Sequence, residues 1–373
     1  MELRKYQLGQ LTEQCVDKNE DNLYGSDSVI RISVNKELAP TKANLKDVSL
    51  KNFILVEPKS FVYAADTSRR GDKISLAYNS SSETYLASNF HIVFRLNDFG
   101  RKQLLEEYLF MYFNRSEFDR YARMHSWGSA RERFYYSDMS DVEIELPPIE
   151  VQRKYAAIYE AMLANQRSYE KGLDDLKLAC DALLDRCKKS KTWEPVGKHL
   201  REVDVRNASG KCDVAYGINI KKEFMLSKAS SDDLLKYKLV KPSQIACNLL
   251  HVGRDASYPI AVNETDSCLA VSPAYSVFMA SNTNMAVFLM AWFSRAEIGR
   301  NGWFICDDSI RGSMAIDRFL SCEMPIPNGE TIKAIAELRT AYWTRARINV
   351  QLKAQLKDIC PILIRGSIEE ASR

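Results

Sequence analysis

The chain has 373 residues, enough for two domains, and its 46% hydrophobic and 27% charged composition is that of an ordinary globular protein. A formal net charge of +3 is too small to point to any partner, and nine cysteines with no Cys-x-x-Cys pair and no Cys/His spacing exclude a zinc-ribbon site. The thiols, odd in number, read as reduced; a polar start, Met1 to Tyr6, and a longest apolar run of only Met285 to Phe293 predict a cytoplasmic protein without a membrane span.

Short β-leaning runs come first, at Phe53 to Val56, Ser60 to Ala64, Phe90 to Arg95 and Val142 to Leu146, bounded by Asp, Asn, Ser, Gly and Pro. One amphipathic helix is expected from Gln103 to Tyr112, continuing to Arg123. Arg115, Arg120, Arg123, His125, Trp127, Arg131 and Arg133 then crowd a short stretch, with Gly128, Ser129 and Ala130 offering a loop where a backbone could approach closely. Guanidinium forks, an aromatic plane and small hydroxyl residues suit phosphate contacts plus base-edge readout. The same residues also fit a solvated charged helix face, partly neutralised by Glu117, Asp119 and Glu132. Arg69 and Arg70, before Gly71, make a basic loop tip after a strand.

The next stretch organises the chain. Leu146-Pro147-Pro148-Ile149-Glu150 disfavours helix at the prolines and puts a negative charge at the start of about forty helix-forming residues. Tyr155, Met162, Tyr169, Leu176 and Leu183 recur every seven residues, with Ile158 and Ala179 in a second row and charges on the other faces. At 1.5 Å per residue the rod is roughly 60 Å long and needs a partner helix. A polar linker, Lys188 to Pro195, follows.

The partner lies in the same chain. Sliding the sequence by 180 residues places Glu150, Ala156, Arg167, Leu176, Cys180 and Leu183 on Glu330, Ala336, Arg347, Leu356, Cys360 and Leu363. The seam reappears as Ile335, Tyr342, Asn349, Leu356 and Leu363; Pro361 is expected to bend or stop this second helix. Earlier segments repeat as well: Ile32 to Leu38 matches Ile218 to Phe224, and Phe53 to Pro58 matches Tyr237 to Pro242. The matching second-half strands are Tyr237 to Val240, Gln244 to Asn248, Tyr275 to Met279 and Cys322 to Met324, with a helix near Asn284 to Glu297. Lys221 and Lys222, the loop tip His251 to Arg254, and Arg295, Arg300, Trp303, Arg311 and Ser313 are this half's candidate contacts.

The expected class is α+β: two similar domains at 1–146 and 192–326, and two long helices at 147–191 and 327–373 pairing antiparallel as a coiled-coil spacer, with pseudo-two-fold internal repetition. No catalytic set is found. Leu146-Pro147-Pro148-Ile149 lacks the polar first and aromatic last residues of the amino-methyltransferase tetrapeptide, and no glycine-rich nucleotide loop or Gly-x-Ser-x-Gly elbow occurs. The four histidines, at 91, 125, 199 and 251, have no metal-ligand spacing.

Duplicated domain-then-helix order, together with the junction Ile144-Glu145-Leu146-Pro147-Pro148-Ile149-Glu150-Val151-Gln152, resembles the specificity subunits of type I restriction–modification systems. The second junction, Met324-Pro325-Ile326-Pro327-Asn328, departs in its split prolines and in Ile332 where the first has glutamine. The resemblance implies a non-enzymatic subunit whose two target-recognition domains each read half of a split, asymmetric double-stranded DNA sequence, with the helices as ruler. It further implies two copies of an adenine-N6 methyltransferase partner carrying S-adenosylmethionine, and a translocating restriction subunit, with ATP and Mg, where one joins. On the residues alone, the seam is either intramolecular core or partner-docking surface. A self-contained modification enzyme and a coiled-coil scaffold without a nucleic-acid role remain the rival classes.

Overall fold

The computed structural model describes residues 3–67, 73–128, 131–227, 234–252, 257–306 and 313–373. The chain divides into two compact units, Met1–Ser168 with Asn349–Arg373, and Tyr169–Ile348.

In the first unit an antiparallel four-stranded sheet runs in the order Thr12–Cys15, His91–Leu96, Phe61–Ala64, Leu76–Tyr78, with the all-apolar Phe61–Ala64 buried at every position. Its register pairs Thr12 with Leu96 and Phe61 with both Phe94 and Tyr78. Phe61, Tyr63, Phe94, Phe113, Phe118 and Phe134 are fully buried behind it, rings that each remove some 150–250 Å² from water and so dominate the core. Two further ladders, Ile30–Ile32 with Leu38–Pro40 and Ile54–Val56 with Tyr85–Ala87, cover the other face.

The second unit reuses this plan. Leu200–Val203, Ser276–Ala280, Ile245–Cys247 and Ile260–Val262 form a sheet in the same order, backed by Tyr258, Phe278, Phe288, Phe293 and Phe319. Small devices repeat too. Asn79 Nδ2 donates to Val56 O at 3.0 Å and Glu83 O at 2.8 Å; Asn263 Nδ2 donates to Val240 O at 2.9 Å and Ser267 O at 2.8 Å. Lys36 and Lys222 both sit in the left-handed region, at φ 63° and 65°, a strained conformation for a non-glycine residue that both halves retain.

The helix expected to run unbroken to Arg123 is two helices, Glu106–Phe113 and Ser116–Met124, and its counterpart is Thr283–Phe293 and Ala296–Phe304. Extended backbone at Arg115 (ψ 145°) and Arg295 (ψ 137°) makes each break. Each arginine folds back over an aromatic ring of the preceding helix, 3.8 Å from Tyr112 and 5.8 Å from Trp292.

Both long helices form, as Ile149–Cys187 and Gly329–Ala371. Within the first unit their segments run antiparallel: Tyr155 hydroxyl donates to Glu370 at 3.0 Å, and Gln166 Nε2 donates to Asn349 Oδ1 at 2.9 Å. Within the second unit they do so again, Arg345 lying 4.8 Å over the Tyr169 ring while Cys180, Leu184 and Cys187 pack with Ile332 and Ile335. The deepest row of the first helix is Gln152, Tyr159, Gln166, Cys180 and Cys187, all buried and on one heptad register. Tyr155, Met162, Tyr169, Leu176 and Leu183 flank it half-buried. On the second helix Ile335, Leu356 and Leu363 are buried and Tyr342 is half-buried. The expected second row is corrected: Ile158 is 42% exposed and Ala179 is exposed too. Polar and cysteine side chains hold most of the deepest row, so hydrophobic periodicity alone points to the row three residues on. The helix does not stop at Pro361 but continues through it to Ala371; burial of Cys360, Leu363 and Ile364 around it offsets the missing N–H.

The junction glutamine explains itself. Gln152 Nε2 donates to Gln103 O and Pro147 O, both at 2.8 Å, and its Oε1 accepts from Leu105 N at 3.1 Å. One buried amide thereby satisfies backbone groups on both sides of the Pro-Pro corner.

Candidate nucleic-acid interface

Trp127 and Arg133 exchange backbone hydrogen bonds at 3.0 and 2.9 Å, closing the chain between them into a hairpin. Gly128 takes φ +137° there, and a Cβ on it would lie 2.2 Å from Arg131 O, so the loop requires glycine. The hairpin is docked on its domain by Thr67 N donating to Glu132 O at 3.0 Å and Phe134 N to Ala65 O at 2.9 Å.

This platform presents Trp127, 61% exposed, among three guanidinium groups. Arg131 Nη1 and Arg133 Nε stand 3.8 and 3.9 Å from the Asp66 carboxylate, and Arg123 pairs with Glu132. These pairs are partly solvated, a class worth about 0–1 kcal/mol each, so exchanging a carboxylate for a DNA phosphate costs little. Beside the hairpin a cavity of about 590 Å³ is lined by Gln14, Asn89, Phe90, Arg133 and Tyr135. Phe90, at the tip of a strand-connecting turn, is 71% exposed. Phe90, Tyr135 and Asp66 escape sequence reading, because nothing local distinguishes a turn-tip phenylalanine from a core one.

Other members of the basic stretch do different work. Arg115 covers Tyr112, and His125 stacks on Tyr121 with ring centroids 3.9 Å apart. Arg120 lies 4.0 Å from Glu117.

In the second unit Trp303 and Phe304 are 57% and 81% exposed at the end of their helix. Next to them Arg318 donates to Ile305 O at 2.8 Å and lines a cavity of about 470 Å³. Lys221 and Arg300 are exposed and Ser313 is half-buried. Arg295, by contrast, is held between Asp185 (2.5 Å) and Glu297 (2.7 Å), its side chain 9% exposed. Lys222 also turns inward: its ammonium donates to Tyr258 O at 2.7 Å and Ser257 Oγ at 2.9 Å, and burial pushes its pKa down to about 8. It therefore serves its own domain rather than an outside contact. Arg69, Arg70, Ser129, Arg254, Arg311 and the side chain of His251 lie outside the described residues.

Among the described residues no cluster of three or more metal-ligating side chains occurs, and no helix is long and apolar enough to cross a membrane. All nine cysteines are free thiols.

Residues 3–175 match the family model of the type I restriction modification DNA specificity domain. The fold is similar to a crystal structure of the type I restriction–modification S subunit from M. genitalium, with 11% identity, a TM-score of 0.61, and coverage of 98% of this chain and 96% of that one. HsdS of Thermoanaerobacter tengcongensis aligns over 98% of this chain and 96% of its own at 13% identity and a TM-score of 0.38. No curated protein sequence matches the chain. The first part of the chain, residues 3–175, thus carries the type I restriction modification DNA specificity domain sequence, and over 98% of its length the chain is similar in fold to a type I restriction–modification S subunit.

Proposed function

We propose that the chain reads a two-part, non-palindromic DNA target, residues 1–146 recognising one half and residues 192–326 the other. The helices at 147–191 and 327–373 act as the ruler that sets the unread interval. Two copies of an adenine-N6 methyltransferase subunit dock on the chain, and a restriction subunit joins where the system has one. S-adenosylmethionine then belongs to the methyltransferase, ATP and Mg to the restriction subunit, and this chain supplies no catalytic group.

The observation that carries this reading is one scaffold used twice beneath different surfaces. Sheet order and the Asn79 and Asn263 anchors repeat, whereas the large exposed side chains differ, Phe90 and Trp127 in one half and Trp303 and Phe304 in the other. One repeated scaffold under unlike exposed side chains is what two different half-sites require, each well-made base contact contributing about 1–3 kcal/mol of discrimination. Co-expression with the neighbouring methyltransferase gene, followed by mapping of modified adenines in host DNA, tests it. A two-part motif with a constant gap is expected, and replacing residues 1–146 with those of another family member changes one part only. Modification without a bipartite motif, or none at all, would refute the reading.

A further inference from the structure

In the first unit a cavity of about 310 Å³ opens between the turn at Val34, Asn35 and Lys36, the start of helix Ser116–Met124, and Lys357, Asp358 and Pro361 of the second long helix. Three lysines line it. Lys36 is already committed, its ammonium donating to Asp119 Oδ1 at 2.5 Å and Phe113 O at 2.7 Å with the side chain 5% exposed. That neutral pair leaves Lys73 and Lys357 as the available cations, set against the single carboxylate of Asp358. Both lysines are exposed. Lys357 donates to the uncharged Asn35 Oδ1 at 3.0 Å, and neither lysine has an ion-pair partner among the described residues. The nine-residue helix beginning at Ser116 adds the positive end of its dipole.

We propose that this cavity holds a phosphate group, gripped by Lys73 and Lys357. The hairpin's arginines stand against carboxylates, Arg123 on Glu132 and Arg131 and Arg133 sharing Asp66, whereas Lys73 and Lys357 form no ion pair among the described residues and line one cavity together. The volume suits one compact anion rather than a peptide segment. Position argues for the DNA backbone as the source, a step that rests on the reader function proposed above. Thr67 is hydrogen-bonded to the hairpin at Glu132, and Lys73 lies six residues further on, so cavity and hairpin are at most about 22 Å apart along the chain. With one phosphate per ~3.4 Å of strand, a single duplex can reach both. The cavity then supplies sequence-independent grip, and the hairpin supplies readout.

The test compares the full chain with the double variant Lys73→Gln, Lys357→Gln, and with Lys171→Gln as an exposed control outside the cavity; thermal melting confirms that each is folded. DNA affinity is measured over a range of salt with a target and a random duplex, and inorganic phosphate is titrated calorimetrically. The double variant is expected to flatten the slope of log affinity against log salt by about 0.9, the loss of one phosphate contact. Its affinity falls by the same factor for both duplexes, so the specificity ratio holds, and the control changes neither. Loss of phosphate binding with an unchanged DNA slope supports the phosphate site and identifies a free anion as its source. An unchanged slope together with unchanged phosphate binding overturns the proposal. Wild-type protein with no salt-dependent DNA binding would instead count against the reader function, and the phosphate titration would then decide the cavity by itself.

Discussion

Replacing Lys222 with methionine removes a charge that the second unit holds at a cost. Its repeat mate Lys36 has Asp119 at 2.5 Å, but the residue 180 positions beyond Asp119 is Gly299, which has no side chain to offer. Lys222 therefore has only a hydroxyl and a carbonyl as partners, and burial lowers its pKa from 10.5 to about 8. At ~1.36 kcal/mol per unit a depression of that size amounts to on the order of 3 kcal/mol. The sign follows from proton counting. Below pH 8 both folded and unfolded chains carry the ammonium, and the penalty is present in full. Between pH 8 and 10.5 the unfolded chain keeps a proton that the folded chain has released, so stability rises with pH across that window. Lys222→Met abolishes this rise. At pH 7 relief of the penalty is opposed by the loss of two hydrogen bonds at about 1 kcal/mol each, for a net change near +1 kcal/mol. Urea unfolding followed by tryptophan fluorescence is the assay, because Trp193, Trp292, Trp303 and Trp343 all lie in this unit. Parallel pH profiles for wild type and variant between pH 8 and 10 would refute the reasoning.

Lys36→Met, at the equivalent position, has the opposite outcome: Asp119 loses its ion in a buried site, and thermal melting of the first unit should report a loss of about 3–5 kcal/mol. Gly128→Ala places a Cβ 2.2 Å from Arg131 O at φ +137°, straining the hairpin by about 1–3 kcal/mol. Methylation mapping should then show relaxed recognition at one half of the target and unchanged recognition at the other. Gln152→Ala strands the Leu105 amide beside the carbonyls of Gln103 and Pro147, a loss of about 1–3 kcal/mol readable in a chemical denaturation midpoint.

How far residues alone disclose this molecule depends on the range of the interaction. Strands such as Phe61–Ala64 and Ile245–Cys247 and both long helices declare themselves, because their signal is a short apolar run or a seven-residue recurrence. The repeat is visible for the same reason, since both copies keep the same turn residues. What pairs with what across many residues is not visible. Arg131 and Arg133 meet Asp66, and Lys222 meets Tyr258, only after the chain has folded. Gln152 and Gln166 look like surface residues by type, yet both are buried because each finds an amide-matched partner. The break at Arg115 was hidden by an apolar pattern that continues across it.

The first unit consists of Met1–Ser168 together with Asn349–Arg373. Ala156 and Tyr159 pack in one cluster with Leu356, Cys360, Leu363 and Ile364, so an N-terminal half emerging from the ribosome meets the residues that cover its own helix only after some two hundred further residues have been made. Until then the nascent chain carries a bare apolar stripe, and a messenger truncated before residue 349 would leave it permanently open to chaperones and proteases.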